Sequence, residues 1–206
     1  MNKIKEIFKK SVQDLKVNKI AIFIFCVLFL ASAFYPLDRS FYEQKRKPNA
    51  GNFVHFTENY MRFSNNCLQV AVPLLVRDFV GLAQTINVSI ATTITTHTFK
   101  KLLNNQKTFN GERLGQRPKS PTSNYNMPSG HSSMASCATF FLIRRYYKNK
   151  NKPKILMFGF LLFAMFSTMF ARVMLDMHTI SATIAGMILG GICAYIFTTP
   201  IVKNKS

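Results

Sequence analysis

The sequence predicts an all-α integral membrane protein, a bundle of about six transmembrane helices preceded by an amphipathic helix at the membrane surface. Three observations predict it. Hydrophobic residues make up 48% of the 206 positions while the formal net charge is +19, which fits neither a soluble domain with a mixed surface nor a disordered polycation. The apolar residues are bunched into runs approaching the roughly 17 to 25 residues that a helix needs to cross hydrocarbon. Lysines and arginines lie mostly between those runs.

The first element covers residues 1–19. Ile4, Ile7, Phe8, Val12 and Leu15 share one helical face and lysines surround the rest, the pattern of a helix lying in the cytoplasmic membrane surface. The run Ile20 to Leu30, followed by Ala31-Ser32-Ala33, has the layout of a secretory leader. The long polar segment before it favours retention as a first span over 20–37; removal would leave five spans without moving the later motifs across the membrane. Further spans are expected at 59–77, 79–100, 130–146, 154–171 and 179–199. No repeat, low-complexity tract or long linker divides residues 20–206, which read as one membrane domain. Cys26, Cys67, Cys137 and Cys193 are scattered, with neither zinc spacing nor a disulfide framework.

An even number of spans puts both ends of the chain on one side. The basic residues of 1–19 and of the 144–154 loop, with the Arg77-Asp78 pair, Lys203 and Lys205, are assigned to the cytoplasmic side. The opposite side is nearly as basic, with Arg39, Lys45, Arg46, Lys47 and Arg62 in one loop and Lys100, Lys101, Lys107, Arg113, Arg117, Lys119 and Arg172 in another cluster. Cations gathered where the topology rule does not call for them point to an anionic lipid partner in the membrane, and the surplus charge is not assigned to nucleic acid.

Chemistry concentrates on that second side. Pro128-Ser129-Gly130-His131 opens the fourth span, and Arg172 and His178 bracket the turn between the fifth and sixth. A helix starting at Gly130 points unpaired N–H groups at whatever lies above it and favours an anion; Ser129 is suited either to cap that helix or to donate to phosphate. Arg117, Arg172 and a lysine supply charge neutralisation for phosphoryl transfer, and two imidazoles supply a nucleophile and a proton carrier. His97 with Thr96 and Thr98 lies one turn before Lys100, with helix packing or hydrogen bonding preferred over the alternative of lining the site.

In this order the residues resemble the type 2 phosphatidic acid phosphatase superfamily, whose motifs read K-x6-R-P, P-S-G-H and S-R-x5-H-x3-D. The likeness covers roughly residues 79–199, with the motifs inside 100–182. It implies a six-span helical core and a histidine phosphatase mechanism with no metal or cofactor. By position it makes His178 the nucleophile, His131 the acid and base, and Ser129, Gly130, Arg117 and Arg172 phosphate-binding. Three positions depart from the motifs. Asn110 stands where the first-motif lysine belongs, so Lys100 is taken as that lysine with 102–116 inserted, Lys101, Lys107 and Arg113 being alternatives. Ala171 replaces the serine before the arginine, and Ala182 replaces the aspartate that fixes the nucleophile, leaving Asp176 and Ser181 as substitutes.

Within the superfamily, the stretches Thr96 to Lys100, Gly111 to Pro118, Asn126 to Met134 and Leu175 to Thr179 are most similar to the small bacterial lipid A 1-phosphatases. That resemblance implies removal of the 1-phosphate of lipid A at the periplasmic face of the inner membrane. Undecaprenyl pyrophosphate, phosphatidylglycerophosphate and the lipid A 4′-phosphate remain alternative substrates, and a noncatalytic lipid-binding protein remains an alternative of another class.

Overall fold

The computed structural model describes residues 2–13, 15, 17–35, 41–42, 49–120, 122–148 and 153–201. Arg39, Lys45, Arg46, Lys47, Lys150, Lys152, Lys203 and Lys205 lie outside the described residues, as does the side chain of Lys154. Every regular element among the described residues is helical: α1 (Asn2–Gln13), α2 (Lys19–Phe34), α3 (Asn52–Asn59), α4 (Ser64–Leu75), α5 (Phe79–Leu102), α6 (Gly130–Tyr146), α7 (Pro153–Met174) and α8 (Ile180–Phe197), with a 3-10 turn over Met61–Phe63.

Helix starts follow side-chain chemistry. Asn18, Asp78, Ser129 and Thr179 each sit just before a helix and accept a hydrogen bond from its first-turn N–H groups, capping α2, α5, α6 and α8. Two helix ends share one closure. Asp78 N–H reaches back to Pro73 O (2.8 Å) and Met177 N–H to Arg172 O (3.0 Å), with Arg77 and Asp176 in the left-handed region between.

The helix expected at 59–77 is reorganised. The chain from Asn52 to Leu75 is broken near Tyr60 into α3, the 3-10 turn and α4. Tyr60 (φ −129°, ψ −57°) leaves the helical region there, and beyond it the buried Asn65 donates through Nδ2 to Thr139 Oγ1 (2.6 Å) and Leu161 O (3.0 Å), which fixes α4 by specific partners on α6 and α7. Ala50, Val54, Ala171 and Leu175 form a small apolar cluster that lays α3 against the end of α7.

Helix α6 is central and packs on α4, α5, α7 and α8. Its serine-rich face meets glycines of α8. A Cβ on Gly186 would lie 2.4 Å from Ser129 O, and one on Gly190 would lie 2.1 Å from Ser133 O, so only glycine admits this approach. Ser136 Oγ donates across the seam to Met187 O (2.9 Å). This explains why α6 is less apolar than the other long helices: its polar side chains are buried against a neighbour.

By length and composition two helices are long and apolar enough to cross a membrane, Ile155–Met174 and Ile180–Phe197; Lys19–Phe34 is apolar but shorter. Large apolar side chains stay exposed along α2 (Phe23, Val27, Leu30), α5 (Ile86, Ile90, Ile94) and α7 (Phe163, Phe166, Phe170). Helix α1 leaves Ile4, Phe8 and Val12 exposed while its buried Ser11 docks on α5, receiving hydrogen bonds from Gln84 at its carbonyl and from Asn87 at its hydroxyl.

Candidate active site

The start of α6, the turn between α7 and α8, the end of α5 and the 3-10 turn converge on one cavity of about 520 Å³. Its walls include Lys100, Arg117, Gly130, His131, Arg172 and His178, together with Arg62, Asn66, Thr96 and His97. Residues separated by more than a hundred positions thus share one space, and most of its charge is positive.

His178 sits where it does because α7 closes on itself. The N–H groups of Met177 and His178 both bond to Arg172 O, at 3.0 and 3.2 Å. The five-residue interval between arginine and histidine is therefore the length of a helix C-terminal closure, with Asp176 (φ 51°) as its left-handed residue. The imidazole is buried, and its Nδ1 lies 2.8 Å from Asn126 O. A carbonyl can only accept, so Nδ1 carries the proton and Nε2 is left as the free nitrogen of a side chain lining the cavity. Burial, then Lys100, Arg172 and Arg117, hold the His178 pKa well below the ordinary imidazole value.

The orienting group is thus the Asn126 carbonyl, where the sequence pointed to Asp176 or Ser181. Asn126 is itself buried and pinned: its Oδ1 accepts from Thr179 N–H (3.1 Å), its Nδ2 donates to Thr179 Oγ1 (3.1 Å), and its N–H donates to Gly115 O (2.9 Å). Asp176 serves in the turn, its carbonyl receiving Lys119 N–H at 3.0 Å. Ser181 Oγ is 3.1 Å from Thr179 Oγ1. Ala182 packs in an apolar cluster with Phe29, Leu114 and Met127, where an aspartate would meet no solvent.

Gly130 lies on the cavity wall, and a Cβ there would make only ordinary contacts with Lys100 and Thr96, 3.8 Å or more away. Ser129 is fully buried and acts as the cap: its Oγ accepts from Ser132 Oγ at 3.0 Å and its N–H donates to Ala182 O at 2.9 Å. It is not part of the wall formed by Gly130 and His131.

Lys100 reaches the cavity, with its Nζ donating to Tyr125 O (2.8 Å). Lys101 lines a smaller neighbouring cavity of about 300 Å³ with His97, Lys100, Arg117 and Tyr125. Arg113 belongs to neither: its Nη2 donates to Ser123 O (2.8 Å) and its backbone bridges Lys107, so it holds the α5–α6 loop together. Arg117 is shifted below its ordinary value, by burial first and by Arg172 second. The Nε atoms of Arg62, Arg117 and Arg172 are buried and have no hydrogen-bond partner among the described residues. Among those residues no group of three His, Cys, Asp or Glu is arranged to hold a metal ion.

A family model described as the PAP2 superfamily matches residues 81–206. The chain belongs to the PAP2 superfamily. It is 48% identical over 155 residues to the lipid A 1-phosphatase of Helicobacter pylori strain ATCC 700392 / 26695, covering 75% of this chain and 76% of that protein. To the lipid A 1-phosphatase of strain J99 / ATCC 700824 it is 50% identical over 147 residues, covering 71% of this chain and 72% of that protein. No solved structure matches the chain.

Besides Asn126, two residues at this cavity escaped the sequence reading, Glu58 and Arg62. Glu58 Oε1 accepts from both Arg172 Nη1 and Arg62 Nη1, each at 2.6 Å. The available signal was their i, i+4 spacing and the rarity of acids, eight in the whole chain. What could not be read was the fold of α3 onto α7 that brings this pair to Arg172.

Proposed function

We propose that the protein is a phosphoric monoester hydrolase that removes the 1-phosphate of lipid A through a phosphohistidine. The observation that carries the chemistry is His178, neutral, with Nδ1–H committed to a carbonyl and Nε2 free in a cavity ringed by Lys100, Arg117 and Arg172. The choice of lipid A rests on the similarity to the two lipid A 1-phosphatases.

In the first step Nε2 of His178 attacks phosphorus, the N–P bond forms and the P–O bond to the sugar breaks, with His131 protonating the departing oxygen. Lys100, Arg117, Arg172 and the N–H groups around Gly130 neutralise the equatorial oxygens. In the second step water attacks phosphorus, His131 takes its proton and the N–P bond breaks, returning His178. No metal or cofactor enters either step.

The reading extends to the membrane. Helix α1 serves as a surface helix ahead of a single six-span domain, with α3 and α4 together serving as the second span. The exposed apolar faces of α2, α5 and α7 support contact with lipid, and those of Ile4, Phe8 and Val12 support α1 at the cytoplasmic surface of the inner membrane. With an even number of spans the cavity opens at the periplasmic face.

The test is phosphate release by the detergent-purified protein in EDTA from lipid A, phosphatidylglycerophosphate and undecaprenyl pyrophosphate. Loss of the lipid A 1-phosphate is expected, together with an acid-labile phosphohistidine, and His178→Ala should abolish both. A wild-type rate in that variant overturns the mechanism; His178-dependent activity confined to another lipid overturns the substrate.

A further inference from the structure

Arg62 lies outside the three phosphatase motifs and outside the stretch matched by the family model, yet it forms part of the same cavity wall as the two histidines. Three contacts hold it there. Its Nη1 donates to Glu58 Oε1 (2.6 Å), the same Nη1 is 3.3 Å from His131 Nε2, and its guanidinium stands over the Phe63 ring, 4.6 Å from the centroid. Its Nε is buried without a partner, as are those of Arg117 and Arg172. Lys100, Arg117 and Arg172 line the same wall, so Arg62 adds a fourth positive charge to a cavity suited to an anion.

We propose that Arg62 is a further phosphate-binding residue, the fourth cation of the site, and that it exchanges His131 for the phosphate when substrate arrives. The inference rests on the phosphatase reading above and adds a residue to that site. An Arg62 N–H points at His131 Nε2, and guanidinium can only donate, so the imidazole nitrogen acts as acceptor and its lone pair is engaged. A phosphate dianion attracts Arg62 more strongly than a neutral imidazole does. When Arg62 turns to the anion, His131 Nε2 is released to take up a proton from bulk solvent, and it then gives that proton to the leaving oxygen. Glu58 holds Arg62 and Arg172 close together before the anion arrives, sharing one carboxylate oxygen between two guanidinium groups.

The experiment uses the full chain in detergent and inorganic phosphate as the probe. Thermal unfolding is followed against phosphate concentration, with chloride at matched ionic strength as control, for wild type, Arg62→Gln and Arg62→Lys, and lipid A turnover is measured on the same preparations. Arg62→Gln is expected to raise the half-saturating phosphate concentration, and the KM, roughly tenfold. Arg62→Lys should raise both by about threefold, because it keeps the charge and loses the planar fork. If Arg62→Gln does not fold, Arg62→Lys decides alone. A half-saturation point within twofold of wild type in the deciding variant overturns the proposal, and so does a wild-type protein that phosphate does not stabilise. The hydrolase reading fails separately, when the wild type releases no phosphate from lipid.

Discussion

Arg145 and Arg172 are equally buried, each 6% exposed, and each meets a carboxylate, yet they do opposite work. Arg145, in the last turn of α6, has every nitrogen engaged: Nε and Nη2 donate to the two oxygens of Asp78 (2.7 and 2.8 Å), and Nη1 donates to Thr199 O (2.8 Å). Tyr146 and the Gly81 N–H complete the Asp78 shell. Burial alone would raise the Asp78 carboxyl, but Arg145 and these donors outweigh it and hold it below its ordinary value. Arg172, in the last turn of α7, gives one nitrogen to Glu58 and keeps Nε empty. The same residue type at the same depth is a clamp at the end of α6 and, in the proposed mechanism, a phosphate receptor at the end of α7, where it lines the cavity.

Breaking each pair separates the two roles. Arg172→Ala should lower lipid A turnover about a thousandfold while leaving the melting temperature nearly unchanged, because Glu58 keeps Arg62 as its partner. Arg145→Ala should do the reverse. Stranding Asp78 costs about 3 kcal/mol of stability, and the fraction that remains folded should turn over normally. Paired melting curves and initial rates check both.

A smaller effect comes from pH. His178 is neutral in the folded protein with its pKa well below 6.5, whereas in the unfolded chain it takes up a proton near 6.5. The unfolded state then binds more protons below that value, so stability falls as pH drops under about 6.5 and is unaffected by this group above it. Melting temperatures between pH 8 and pH 5 should decline more steeply in wild type than in His178→Gln. The smallest effect is expected at Asp176. Asn also accepts the left-handed conformation, so Asp176→Asn should keep turnover within about threefold of wild type; a collapse in rate would restore the carboxylate as the orienter of His178.

The parts of the site legible in the sequence were those set by local rules. Ser129 and Thr179 are N-cap residue types, and the interval from Arg172 to His178 is a motif spacing that the chain realises as a helix end. The contacts made by folding were not legible. Asn126 orients His178 through its backbone, which no side-chain identity announces, and Glu58 meets Arg172 only because the helix broken at Tyr60 lies back on α7. Nor did sequence reveal that the uninterrupted span at 59–77 would be divided. Its buried Asn65 and Gln69 are polar residues whose partners sit on other helices or far along the chain.

The seam of α6 and α8 works as a gauge block for the two histidines. His131 stands in the first turn of α6 and His178 just ahead of α8, so the interval between the acid and nucleophile of the proposed mechanism is set by how closely two backbones lie at Gly186 and Gly190. One methyl group at Gly190 meets Ser133 O at 2.1 Å and must spread the helices. Phosphoryl transfer is sensitive to misplacements of about 1 Å, which cost on the order of a hundredfold in rate. The accuracy of the reaction is therefore machined into two hydrogen atoms, on glycines that line no part of the cavity.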